Sequence, residues 1–93
     1  MLGNAFHWLQ RRANPPLFVV TIHGGTAQCT KGEAPPLWIA DIAAIADDLG
    51  IEQGRIDGVR TWRGVELRFS PDLPAISHQR FRNTFGVHRV GKF

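Results

Sequence analysis

The chain has 93 residues, 11 Lys+Arg against 8 Asp+Glu and a formal net charge of +3. Its 43% hydrophobic and 20% charged content is that of one folded domain, which sets aside wholesale disorder. A single cysteine rules out an internal disulfide framework and every multi-cysteine zinc motif, and no apolar run approaches the ~20 residues of a membrane-spanning helix.

Residues 1–14 read as a short amphipathic segment. Asn4 can cap a helix over 5–12 before Asn14-Pro15-Pro16 breaks it. Phe6, Trp8 and Leu9 give an apolar side, and Arg11 and Arg12 stand at the C-terminal end, where the helix dipole favours cations. The segment lacks the apolar stretch of a secretory signal. It is a candidate contact for a membrane surface or a partner, or a loosely held arm.

The domain proper is expected over 15–87. Residues 17–23 are β-branched and apolar, with Phe18, Val20 and Ile22 on one side of a strand. Gly24-Gly25 forms a two-residue hairpin turn, and 26–30 return as a second strand. That loop pairs His23 with Thr26 and Val20 with Cys29, which turns Cys29 to the core. Pro36 opens a helix over 36–49, with Trp38, Ile42, Ile45 and Leu49 on one stripe. Gly50 is its stop. Asp47 and Asp48 in the last turn oppose the helix dipole, so a basic partner is expected, Arg55 or Arg60 from the next strand.

The pattern then repeats. A third strand spans 55–62, with Gly58 marking a bulge or bend. Arg63-Gly64 is the expected turn. Val65, Leu67 and Phe69 alternate with Glu66 and Arg68 in a fourth strand. A helix follows over 74–85, with Leu73, Ser77, Phe81, Thr84 and Phe85 inward and Gly86 as the stop; a basic tail occupies 88–93. The order β-β-α-β-β-α predicts an α+β two-layer sandwich, a four-stranded antiparallel sheet with two helices on one face. The hairpins can meet through strands one and three, through two and three, or across a dimer axis. Arg60, Trp62, Glu66, Arg68, Thr21 and His23 are expected on the uncovered face.

Val65-Glu66-Leu67-Arg68-Phe69-Ser70, then Pro74, then Gln79-Arg80-Phe81-Arg82-Asn83-Thr84-Phe85 resembles the C-terminal half of a small bacterial family of unknown function. In that family a strand ending in Phe-Ser precedes a proline-led helix carrying Gln-Arg-x-Arg-Asn-x-Phe. Lys31-Gly32 followed by Pro35-Pro36 is similar to its earlier turn. The resemblance spans about 17–86 and implies a bacterial protein sharing the family's fold; it implies no activity. Family members begin with a long apolar segment, and this chain differs there.

Charge is unevenly distributed. Residues 1–32 carry +3, from Arg11, Arg12 and Lys31. Residues 33–58 carry −5, from Glu33, Asp41, Asp47, Asp48, Glu52 and Asp57 against Arg55. Residues 59–93 carry +5, from Arg60, Arg63, Arg68, Arg80, Arg82, Arg89 and Lys92 against Glu66 and Asp72.

Signals for catalysis are weak. His7, His23, His78 and His88 lack metal-ligand spacing. Cys29 and His23 fall on different sides of the hairpin and make a poor nucleophile and base. Asp47 and Asp48 point about 100° apart on a helix, and Gly24-Gly25 lacks the residues of a phosphate loop. No enzyme, metal, cofactor or small-molecule substrate is therefore expected. The sequence predicts a cytoplasmic, non-catalytic protein-interaction or self-association module, since blocks of opposite charge and an uncovered sheet invite association. Sequence-tolerant nucleic-acid binding is the alternative, through Arg60, Trp62, Arg63, Arg68, Arg80, Arg82 and Arg89, which combine phosphate neutralisation with a stacking aromatic. Membrane-surface association through Phe6, Trp8, Leu9, Arg11 and Arg12 is a third reading.

Overall fold

Residues 15–88 are described by a computed structural model of the chain. The segment 1–14 and the tail from residue 89 lie outside the described residues. The elements follow as β1 (Phe18–His23), β2 (Thr26–Gly32), α1 (Pro36–Leu49), β3 (Gln53–Thr61), β4 (Gly64–Phe69) and α2 (Ala75–His88). The order is the one expected, an α+β sheet with two helices. All strand pairs are antiparallel and the sheet order is β2-β1-β3-β4. The hairpins therefore meet through strands one and three.

The first hairpin follows from its turn. Gly24 and Gly25 both take positive φ, 58° and 81°, the backbone a two-residue turn needs to match the strand twist. His23 then faces Thr26 and Val20 faces Cys29. Phe18, Val20 and Ile22 are buried, with Ala27 and Cys29 packed against them. β2 runs two residues beyond the expected 26–30. A bulge between Val19 and Val20 skips Thr30, so that Lys31 and Gly32 still reach Val19 and Phe18.

Helix α1 has the expected limits. Pro35 precedes it, and Gly50 closes it in the left-handed conformation. Gly50 N–H reaches the Asp47 carbonyl, and Ile51 N–H the Ala46 carbonyl at 2.8 Å. Trp38, Ile42 and Ile45 are buried on its inner stripe.

Several details differ from the sequence reading. Gly58 makes no bulge, because β3 pairs without interruption on both sides. Its role is close approach: an added Cβ would overlap the Phe18 ring. The second turn is Trp62-Arg63, not Arg63-Gly64. Thr61 pairs with Gly64, and the Thr61 hydroxyl accepts the Arg63 N–H at 3.2 Å, tightening the turn one residue earlier. Helix α2 does not stop at Gly86, which stays helical, and it continues to His88, whose Nε2 lies 2.7 Å from Asp41 Oδ2.

The acidic end of α1 is answered by α2. Arg80 donates to Asp48 at 2.8 Å, while Arg55 is held by Asp57 of its own strand at 3.0 Å. The basic partner of Asp48 thus comes from α2 and not from the next strand as expected, because α2 lies alongside α1. Asp48 meets Arg80 and the earlier Asp41 meets His88, so the two helices run antiparallel.

The core between helices and sheet is aromatic. Trp38 stands edge-on to Phe18 at 5.6 Å and to Phe85 at 4.7 Å. Its indole N–H donates to the Phe81 carbonyl at 3.2 Å. Ser77, fully buried, is satisfied by the Pro74 carbonyl.

Candidate interaction surface

The sheet order leaves β2 and β4 as its edges. They are unlike. β2 carries the bulge and Lys31 and is polar along most of its length, features that discourage further strand pairing. β4 has no bulge, proline or lysine, and alternates Val65, Leu67 and Phe69 with Glu66 and Arg68.

The turn fixes which backbone groups of β4 point outward. Thr61 and Gly64 close a two-residue loop, so Gly64, Glu66 and Arg68 direct their N–H and C=O toward β3. Ser70, of the same parity, donates its N–H to the Arg55 carbonyl at 2.9 Å. The N–H and C=O of Val65, Leu67 and Phe69 therefore point away from the sheet. Among the described residues, no backbone hydrogen bond reaches them.

Side chains divide the inner side of β4 into two halves. Phe69 is covered by α2: the His78 ring stacks on it at 4.2 Å and 11°, and the Arg82 guanidinium lies 5.1 Å from its centre. Beyond Arg82 the cover stops, because the next turn of the helix carries Gly86. An open cleft of about 530 Å³ results, with Arg63, Val65 and Leu67 on the hairpin and Arg82, Phe85 and Gly86 on the helix.

At the tip, Trp62 is 91% exposed and the Arg63 guanidinium sits 5.3 Å from its ring. Arg63 also reaches Glu66 at 3.5 Å, and Glu66 meets the Thr61 hydroxyl at 3.2 Å.

The expected arginine surface is thus dispersed. Arg63 and Arg82 stand at the cleft, with Trp62 beside Arg63. Arg68 is exposed opposite Asp57, on the face turned away from α1 and α2. Arg60, expected on that face, pairs with Val65 in register and shares the parity of Ile56 and Gly58, which puts it on the helix side. Directly paired residues put their side chains on the same side of a sheet, and Val65 lies on the inward side of β4 with Leu67 and Phe69. Arg80 is turned to Asp48. Arg89, Phe6, Trp8, Leu9, Arg11 and Arg12 lie outside the described residues. Glu66 is outward as expected, whereas Val65, Leu67 and Phe85, expected inward, also line the cleft, which the sequence reading does not foresee. The signal that points to them is an alternating strand without a bulge, proline or lysine.

The remaining groups do not converge. Cys29 Sγ donates to the Lys31 and Gly32 carbonyls, while His23 is exposed at the hairpin tip. Among the described residues, no three His, Cys, Asp or Glu side chains come together to hold a metal ion, and no helix is long and apolar enough to cross a membrane.

Fold and surface together define a small α+β domain in which, among the described residues, the β4 edge carries no bulge, proline or lysine and lies beside an open cleft. A family model for a protein of unknown function (DUF3634) matches residues 6–92, and the chain belongs to that family. No curated protein and no solved structure matches it.

Proposed function

We propose that the protein is a non-catalytic interaction module that engages another polypeptide through the β4 edge and the adjoining cleft. The observation that carries this reading is the asymmetry of the two sheet edges. One is blunted by a bulge and a lysine; the other presents the backbone groups of Val65, Leu67 and Phe69 next to an apolar-floored cleft. An added strand would find main-chain partners there and pockets for alternate side chains. A photoreactive benzoylphenylalanine at Val65 should give a covalent adduct in cells, whereas the same group at Gln28 on β2 should give none. Absence of an adduct from Val65, or equal adducts from both, removes the reading.

A second reading is favoured by Trp62 alone. An indole exposed at a turn beside an arginine is a stacking platform for single-stranded nucleic acid. It predicts that a labelled oligonucleotide binds at about 50 mM salt, less so as salt rises, and that Trp62→Ala abolishes the signal. No binding at low salt ends it.

A further inference from the structure

We infer that the β4 edge pairs with itself: two copies of the chain join their β4 strands antiparallel about a two-fold axis at Leu67, fusing two four-stranded sheets into one. The inference rests on the interaction reading above and names the partner as a second copy.

The sequence of β4 is self-complementary about Leu67. With Leu67 facing Leu67 of the second copy, Val65 faces Phe69, and Glu66 faces Arg68. The two-fold axis applies each pairing twice, as an isologous interface requires. Both charge pairs lie on the face turned away from α1 and α2, and opposite charges directly across an antiparallel pair stabilise it. Val65 and Phe69 meet on the helix side.

The backbone agrees with this register. Val65, Leu67 and Phe69 carry the outward N–H and C=O groups, and those three positions face one another across the axis. Each facing pair can then exchange both its hydrogen bonds, as the closely bonded pairs of an antiparallel ladder do. A shift of the register by one residue would oppose outward groups to inward ones and turn apolar side chains to the wrong face.

Two features inside the single chain suit this use. Arg68 has no carboxylate partner among the described residues, because its cross-strand neighbour Asp57 is held by Arg55 at 3.0 Å. Glu66 of the second copy would supply that partner. The cleft beside Val65 is also where the second copy's Phe69 arrives, with its covering His78 and Arg82. Gly86, which carries no side chain, leaves that space open.

The test is a charge swap on the full chain, read by sedimentation equilibrium across a concentration series. The wild type should show a reversible rise from 10.4 kDa toward twice that mass. Glu66→Arg and Arg68→Glu each place like charges opposite one another twice, and each should weaken self-association roughly tenfold or more. An equimolar mixture of the two variants restores both opposite-charge pairs, so a heterodimer should recover. Circular dichroism establishes that each variant is folded. Should one fail to fold, the wild-type background with benzoylphenylalanine at Val65 gives an independent reading: a covalent homodimer whose cross-link maps near Phe69.

A wild type that stays at the monomer mass at every concentration overturns the dimer. So do reversals that associate as the wild type does, or a mixture that fails to recover. A monomeric chain whose Val65 adduct contains a different protein overturns the dimer and leaves the interaction reading standing. A monomeric chain with no Val65 adduct removes both.

Discussion

The indole N–H of Trp38 donates to the main-chain carbonyl of Phe81 at 3.2 Å across the buried helix pair. A side chain from α1 thereby grips the backbone of α2, at the point where the Thr84 hydroxyl also reaches the Phe81 carbonyl. The contact fixes where Phe81, Phe85 and Arg82 fall over the sheet, and hence where the cleft opens.

Replacing Trp38 with Phe keeps an aromatic ring and removes the donor. The expected loss is about 1–2 kcal/mol, one net hydrogen bond plus some packing. Trp38→Ala should lose about 3–5 kcal/mol, since a fully buried ring is replaced by a void. Urea unfolding followed by circular dichroism measures both; equal midpoints for Trp38→Phe and wild type would contradict the assignment.

Asp48 sits in the last turn of α1, where the dipole disfavours an anion, and Arg80 offsets it. The two truncations should therefore be unequal. Arg80→Ala leaves Asp47 and Asp48 uncompensated, whereas Asp48→Ala removes the unfavourable charge together with its partner. Both side chains are more than a third exposed, so the coupling in a double-mutant cycle should be only about 0.2–1 kcal/mol and should shrink with added salt. A salt-independent coupling, or a larger cost for Asp48→Ala, counts against this account.

Gly58 accommodates Phe18 by having no side chain. Gly58→Ala should destabilise by about 1–3 kcal/mol through overpacking. The same change in a Phe18→Leu background should cost less, because the ring that meets the new methyl is gone. Additive effects of the two substitutions would show that the ring is not what Gly58 accommodates.

Trp62 touches little besides Arg63. Trp62→Phe should change stability by no more than about 0.5 kcal/mol and should shift the protein's fluorescence to shorter wavelength, since the solvent-exposed indole is lost. A marked drop in the thermal midpoint would place Trp62 in a packed environment instead.

Much of the architecture follows from local sequence. The glycine pair sets the register of the first hairpin, Pro36 and Gly50 bound α1, and the stripe of Trp38, Ile42 and Ile45 marks its buried face. These features are legible because turn geometry and side-chain periodicity act over a few residues. The second turn was less legible. Both Arg63-Gly64 and Trp62-Arg63 are chemically acceptable loops, and the Thr61 hydroxyl together with the pairing of β3 and β4 selects the second. That single residue takes Trp62 out of the strand and leaves it at the tip.

The opening charge of +3 and its division into acidic and basic blocks were determined by the sequence alone. How those blocks answer one another was decided by tertiary structure. Arg80 lies 32 positions from Asp48 in the chain, and only the antiparallel packing of α1 on α2 makes them neighbours. The described arginines of the C-terminal third are consequently split between ion pairing with α1, cover for Phe69 and the face turned away from the two helices. The alternation of Val65, Glu66, Leu67, Arg68 and Phe69 was visible from the start. That it forms an edge was not, because edge position depends on the order in which hairpins join, and that order is set by long-range packing.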